Sequence, residues 1–374
     1  MPDQPLSRPS GEPLSRRLPD FPWDVLAPYG DHAREHPDGI VDLSVGTPVD
    51  PTPTVVQVAL AAAADSPGYQ LVHGTPAVRE AVAGWVARRL GATVDPADVL
   101  PTVGSKELVA GLPLQLGLGP GARVVVPALA YPTYAVGALA VGAEVVSADG
   151  LLELGPRRVD LVWVNSPSNP TGRVLPPEHL AKVVAWARER GTIVVSDECY
   201  LELGWTAEPT SVLHPDVNGG SNEGILAVHS LSKRSNLAGY RAGFVTGDPR
   251  LVAVLVQVRK HLGLLVPGPV QAAMVAALGD DAHVQEQRAK YSARRDRLLR
   301  AFRGAGFAVE HSDAGLYLWA TTGEPCWETV AGLAELGILV APGDFYGPTG
   351  AQHVRIALTV TDERVDAAVR RLAP

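Results

Sequence analysis

From about Val99 onward the chain alternates short β-branched runs with longer stretches of helical period. Seven runs read as strands: VLPTV (99–103), ARVVVP (122–127), AEVVS (143–147), VDLVWVN (159–165), TIVVSDE (192–198), GILAVHS (224–230) and RAGFVTG (241–247). Several are apolar almost throughout, as strands covered on both faces must be. Between them lie stretches such as PPEHLAKVVAWARERG (176–191), with Pro near its start and Gly just past its end, the punctuation of a helix. This rhythm predicts an α/β unit built on a mostly parallel seven-stranded sheet covered by helices. The pattern changes after about residue 250. Helical periods run through PVQAAMVAALGD and DAHVQEQRAKYSARRDRLLRAFRGAG, and shorter strands follow at FAVEH, LYLWA, ILVAP and HVRIAL. That predicts a smaller α+β domain. The expected divisions are a mobile tail at 1–20, a segment at 21–45 packing with the small domain, a large domain at 46–255 and the small domain at 256–374. Residues 21–45 go with the small domain because they precede the sheet and have no strand partner in it.

Composition narrows the function classes. The chain has 374 residues, 46% apolar and 19% charged, an ordinary globular balance with room for two domains. The net charge of −8 argues against a nucleic-acid binder, which would carry a basic face. No apolar run approaches the ~18 residues that span a bilayer. The polar, Pro- and Ser-rich opening MPDQPLSRPSGEPLSRRLPD has no apolar core, so no secretory signal is expected. Cys199 and Cys326 are the only cysteines, without CxxC spacing. A reducing, cytoplasmic setting is expected, with no disulfide framework and no metal site. The ten histidines form no metal-ligand spacing.

In doubly wound sheets, ligands bind at the carboxyl ends of the strands. There this sequence places Ser105, Asn169, Asp197, Ser230 and Lys233: hydroxyls, an amide, a carboxylate and an amine along one edge. A lone lysine after a strand is ordinarily a surface residue. Lys233, however, lies in HSLSKRSNLAGYRAGF, where Arg241 supplies a cation that lowers an amine's pKa and can grip a phosphate. Asp197 ends an apolar strand, and a buried carboxylate needs a cationic partner unless it caps a helix. Asn169 in NSPSNPTG marks a turn facing that same edge. Other signals carry less. SLSK lacks the Lys-Thr-Gly strand of penicillin-binding hydrolases. GLGPGA (117–122) precedes a strand where a dinucleotide fingerprint follows one, and reads as a turn. Cys199 reads as a small buried hydrophobe. The Arg-rich YSARRDRLLRAF reads as a solvated helix face with ion pairs.

Taken in order, LSVGTP (43–48), YQLVHG (69–74), GSKE (104–107), YPTY (131–134), SPSNPTG (166–172), SDECY (196–200), SLSKRSNLAGYRAG (230–243) and HVRIAL (353–358) resemble the class I/II aminotransferases, which share pyridoxal-5′-phosphate (PLP) fold-type I. The resemblance implies a PLP cofactor held as a Schiff base on Lys233, with Asp197 on the pyridine nitrogen, Tyr200 and Asn169 on the ring phenolate and Tyr131 stacked on the ring. It implies a phosphate cradle of Ser105, Lys106, Ser230 and Arg241. Tyr69 would reach the phosphate of a neighbouring subunit in a homodimer with shared sites. Arg355 would fork the substrate α-carboxylate, aided by Asn169 and the backbone near Gly46. FPWDVLAPYGDHAREHPDGIVDLSVGTPVDPTP and the lysine segment further resemble N-succinyldiaminopimelate aminotransferases, which implies glutamate as amino donor and N-succinyl-2-amino-6-oxopimelate as keto-acid acceptor. For the acceptor's distal carboxylate, Lys260 and His261 are candidates across the dimer interface. An aminotransferase for aspartate or aromatic amino acids, a cystathionine β-lyase, and a non-catalytic PLP-fold sensor share the fold and remain as alternatives.

Overall fold

The computed structural model describes residues 13–373. Its strands in chain order are β1 (Val41–Asp42), β2 (Val99–Val103), β3 (Arg123–Val126), β4 (Glu144–Ser147), β5 (Leu161–Asn165), β6 (Ile193–Asp197), β7 (Ile225–Ser230), β8 (Ala242–Gly247), β9 (Ala308–Glu310), β10 (Tyr317–Thr321), β11 (Ile338–Leu339), β12 (Ala341–Pro342) and β13 (Val354–Ala357). All seven runs read as sheet strands join one seven-stranded sheet, in the order β2-β8-β7-β6-β5-β3-β4. Only β8 runs antiparallel to its neighbours, β2 and β7. Strand β5 shows why the runs are apolar on both parities: Leu161 and Trp163 pack into one helical layer, Val162 and Val164 into the other. Helix Pro177–Arg190 covers the second face with Leu180, Val183, Val184 and Ala187, and stops at Gly191 in the left-handed region at φ 64°.

The small unit is a four-stranded antiparallel sheet, β12-β13-β10-β9, backed by helices Ala282–Gly304, Cys326–Glu335 and Asp362–Arg371. β1 pairs with β11, and helix Pro22–Arg34 buries Leu26 and Ala33 among Val330, Leu333 and Ile338. Leu43 thus lies in the small unit's core, and the chain leaves that core three residues before Gly46.

Two expectations need correction. The change of pattern near residue 250 does not mark the division of the cores. Helix Pro249–Leu262 runs unbroken through 255/256, and helix Gly268–Gly279 buries Ala273, Met274, Ala277 and Leu278 in the large unit's core. The change marks where strands cease, while the helices that cover the sheet continue. The Arg-rich face of Ala282–Gly304 is only partly solvated. Arg294 is buried and grips Asp50 with two 2.7 Å bonds, and Asp362 at 3.1 Å. These carboxylates come from remote segments, which is why a helix pattern alone gave no sign of them. The expected tail at 1–20 lies in part outside the described residues, and Leu14–Arg17 forms one exposed helical turn beside helix Thr133–Ala140. Among the described residues, no helix is long and apolar enough to cross a membrane, and no cluster of His, Cys, Asp and Glu is arranged to hold a metal ion.

Candidate active site

The carboxyl ends of β5, β6 and β7 meet helix Gly104–Gln115, the Val45–Gly46 segment and β13 around a cavity of about 360 Å³. Asp197 sits on its floor because β6 is buried from Val194 to its end. Its carboxylate accepts the Tyr134 hydroxyl at 2.7 Å and the Cys199 amide at 3.2 Å. Burial raises its pKa, and these donors oppose the rise. It thus has neutral donors but no cation among its hydrogen-bond partners. The next residue, Glu198, points into a separate buried network with Ser196, Ser211 and the Val212 amide, and burial pushes its carboxyl up to about 7. A Glu198 that is partly protonated near neutral pH lightens the second negative charge next to Asp197.

Ser230 ends β7, and its hydroxyl caps the following turn by accepting the Ser232 amide at 3.1 Å. The turn Leu231–Arg234 lifts Lys233 from the sheet edge into the cavity, where its Nζ donates to the Gly46 carbonyl. Burial lowers the pKa of this amine. Arg355 and Arg241 act in the same direction, while Tyr317 and Cys199 oppose. A lowered pKa makes Lys233 a better nucleophile and base at neutral pH.

Asn169 is buried in the turn after β5. Its amide donates to Asn165 Oδ1 at 2.8 Å, and its Oδ1 accepts Arg355 Nη1 at 3.0 Å. Arg355 reaches the cavity from β13, gives Nη2 to the Ser44 carbonyl at 2.6 Å, and lies 3.9 Å over the Tyr317 ring. Its Nε, also buried, has no hydrogen-bond partner. Two neutral acceptors hold the guanidinium, and no carboxylate does among the described residues.

Helix Gly104–Gln115 begins without a side-chain cap, and Ser105 and Lys106 line the cavity at that end. Arg241, at φ 56°, lies against Gly104, itself at φ 72°; a Cβ on Gly104 would collide with the Arg241 guanidinium. Tyr131 forms a side wall, edge-on to Tyr134 at 5.8 Å between centroids. Tyr200 is buried opposite, its hydroxyl 3.2 Å from that of Tyr317. Gly46 has to be glycine, since a Cβ there would meet the Tyr317 hydroxyl. Three expected residues lie outside the cavity lining: Tyr69 is fully exposed, and Lys260 and His261 stand exposed at the end of helix Pro249–Leu262.

The cavity also contains residues that sequence reasoning did not assign. Tyr134 anchors Asp197, and Tyr317 supports both Arg355 and Tyr200. Phe21 and Trp23 form part of the wall, with Lys106 Nζ 5.5 Å over the Phe21 ring. Cys199 lines the cavity as well as packing against the core, and burial followed by the Asp197 charge keeps its thiol protonated. A signal for Tyr134 was present, since a buried carboxylate needs donors and YPTY lies at a strand end. Sequence reasoning reaches Trp23 and Tyr317 only as fallback positions for the distal substrate carboxylate, and nothing in LYLWA marks Tyr317 as a neighbour of Arg355 and Tyr200.

The donor set fits PLP. A buried carboxylate without a cation suits a pyridinium, an uncapped helix start beside Arg241 and Ser230 suits a phosphate, and a depressed amine suits an aldehyde. The comparisons agree. Residues 38–372 match the model of the family "Aminotransferase class I and II". The chain is 62% identical over 357 residues to the 4-dedimethylamino-4-oxo-anhydrotetracycline transaminase OxyQ of Streptomyces rimosus, covering 96% of this chain and 99% of that one. It is 64% identical over 360 residues to the probable aminotransferase Rv1178 of Mycobacterium tuberculosis, covering 96% and 86%. The solved structure of a probable N-succinyldiaminopimelate aminotransferase from Thermus thermophilus superposes with TM-score 0.85 at 30% identity, covering 94% of this chain and 99% of that one.

The fold and the site thus define a PLP-dependent transaminase. The chain belongs to the class I and II aminotransferase family.

Proposed function

We propose that this enzyme moves the amino group of glutamate to N-succinyl-2-amino-6-oxopimelate, forming N-succinyl-LL-2,6-diaminopimelate, in a homodimer whose subunits share active sites. The observation that carries an α-amino-acid substrate is Arg355, a buried cation facing the cavity with only neutral acceptors. A planar fork of this kind binds a carboxylate through two parallel bonds. The succinylated acceptor is favoured by the N-terminal and lysine segments of the sequence and by the likeness to the Thermus thermophilus structure.

Bound PLP supplies an electron sink for the charge left when the substrate Cα loses its proton. Lys233 Nζ takes that proton and returns it later in the cycle. Asp197 holds the ring nitrogen in its charged form, and Tyr200 and Asn169 donate to the ring phenolate. Tyr131 covers one face of the ring. The amides of Ser105 and Lys106, with Ser230 and Arg241, hold the phosphate, and Tyr69 of each subunit serves the other's phosphate. Arg355, held by Asn169 and Ser44, sets the α-carboxylate so that Cα faces Lys233, with the Gly46 backbone beside it. Lys106 Nζ at the aromatic wall, and Lys260 and His261 from the partner, are the donors available to the acceptor's distal carboxylate.

Two substitutions test this assignment. Arg355→Lys keeps the charge but loses the fork, and kcat/KM for glutamate should fall about 10- to 150-fold, the equivalent of 1.5–3 kcal/mol for a charge-assisted bond. An unchanged value would remove Arg355 from substrate binding. Gly104→Ala should displace the Arg241 guanidinium and weaken PLP retention by about 10-fold or more, read by dialysis against apoenzyme. Parental retention would mean that Arg241 does not hold the phosphate.

The 62% identity to OxyQ carries a second reading, in which the acceptor is a ketone on a tetracycline frame. Single-turnover reaction of the amine-loaded enzyme separates the two. The succinylated keto acid should react faster than 4-dedimethylamino-4-oxo-anhydrotetracycline by about 100-fold in kcat/KM or more. The opposite ranking would replace the proposed acceptor.

A further inference from the structure

A second cavity, of about 310 Å³, lies on the other side of the Asn169 turn. Val125, Val162, Val164, Leu154 and Val183 of the large unit form its apolar wall, and Trp319 of the small unit closes one side. Its polar lining has both signs. Arg173 is exposed, with no ion-pair or side-chain hydrogen-bond partner among the described residues, and half-buried His179 stands near it in the first turn of helix Pro177–Arg190, which starts without a side-chain cap. Burial, then Arg173 and Lys182, push the His179 imidazole below the ordinary histidine range. Of the lining carboxylates, exposed Asp149 accepts the Ala128 amide through Oδ1 at 2.9 Å, and exposed Glu310 meets His353 at 3.1 Å. The turn Leu151–Leu154 supplies Leu151 and Leu154 to the lining, while Leu152 between them is fully exposed.

The two cavities share a wall. Asn165 lines both, accepts the Asn169 amide, and donates to the Asp197 carbonyl at 2.9 Å. The turn that aims Asn169 at Arg355 presents Ser168, Thr171 and Arg173 to the second cavity. An apolar cavity whose lining includes the exposed charges of Arg173, Asp149 and Glu310 complements a zwitterion with an apolar tail. We propose that this cavity binds a free α-amino acid with an apolar side chain, its carboxylate toward Arg173 and His179 and its ammonium toward Asp149 and Glu310. By bridging the two units the occupant holds the Asn169–Arg355 contact and so tightens keto-acid binding at the active site.

The test uses holoenzyme reduced with borohydride, so that amino acids cannot react at the active site. L-Leucine and L-phenylalanine, titrated by calorimetry, should bind saturably at one site per chain. Isocaproate, which lacks the ammonium, and isopentylamine, which lacks the carboxylate, should each bind about 10- to 150-fold more weakly, the loss expected for a charge-assisted bond. Arg173→Ala should weaken leucine by a similar factor while leaving the reaction without leucine unchanged. No saturable binding of either amino acid, equal binding of isocaproate, or full binding by Arg173→Ala would overturn the proposed site. In unreduced enzyme, saturating leucine should lower KM for the keto acid in the parent and not in Arg173→Ala; an unchanged KM would overturn the coupling. Because the reduced enzyme carries out no transamination, binding to it does not depend on which acceptor the enzyme uses.

Discussion

Replacing Lys233 with alanine should leave an enzyme that still binds PLP but transaminates slower by roughly 10⁴-fold, the upper range for loss of a positioned general base. The retained binding is expected from the other proposed holders: Asp197 on the floor, the helix start at Ser105, and Arg241 against Gly104. Lys106 is the other lysine in the cavity lining, but its Nζ stands against Phe21 and Tyr131 at the wall, at 5.5 and 6.0 Å from their rings. Removing Lys233 also frees the Gly46 carbonyl, which a water can satisfy at small cost, so the fold should survive. The measurement is single-turnover kinetics with glutamate at saturating PLP, alongside the thermal midpoint. Near-parental turnover with cofactor bound would move the proton transfer to another group.

Asp197→Ala has the second largest expected effect. Breaking a buried charge pair costs about 3–5 kcal/mol, or roughly 150- to 5,000-fold in turnover if the loss falls on the transition state. The change also strips Tyr134 of its acceptor, a further cost of about 1–3 kcal/mol to the fold. Asp197→Glu keeps the charge but presses one more methylene into a packed floor, and should be milder. Turnover and PLP affinity, measured together, separate the roles. If Asp197→Ala turned over normally once PLP was bound, its carboxylate would only tie Tyr134 and the Cys199 amide.

The elements of this fold could be read in the sequence where local pattern decides them. Strands β2 to β8 alternate with helices, and each buried run has Gly, Pro or Asn at or near one end. Lys233, Asp197 and Asn169 could be read because each follows such a run directly, so its place at the sheet edge needs no tertiary knowledge. What escaped depends on contacts between distant segments. Tyr134 meets Asp197 across 63 positions, Tyr317 meets Tyr200 across 117, and Arg294 meets Asp50 across 244. No periodicity records such a pairing. The core division escaped for a related reason: helix Gly268–Gly279 has the same apolar pattern whichever sheet it covers. Lys260, His261 and Tyr69 were drawn from a resemblance whose geometry involves a second subunit, and a single chain leaves them at its surface.

The most direct measurement is borohydride reduction of the holoenzyme followed by peptide mapping. Lys233 has a pKa lowered by burial and lies with Asp197, Arg241 and Arg355 around one cavity, so it is where a reducible imine with PLP should form. The account predicts one pyridoxyl group per chain, on the peptide containing Lys233, and none in Lys233→Ala. A label on Lys106 or Lys260, or no labelled lysine, would contradict it.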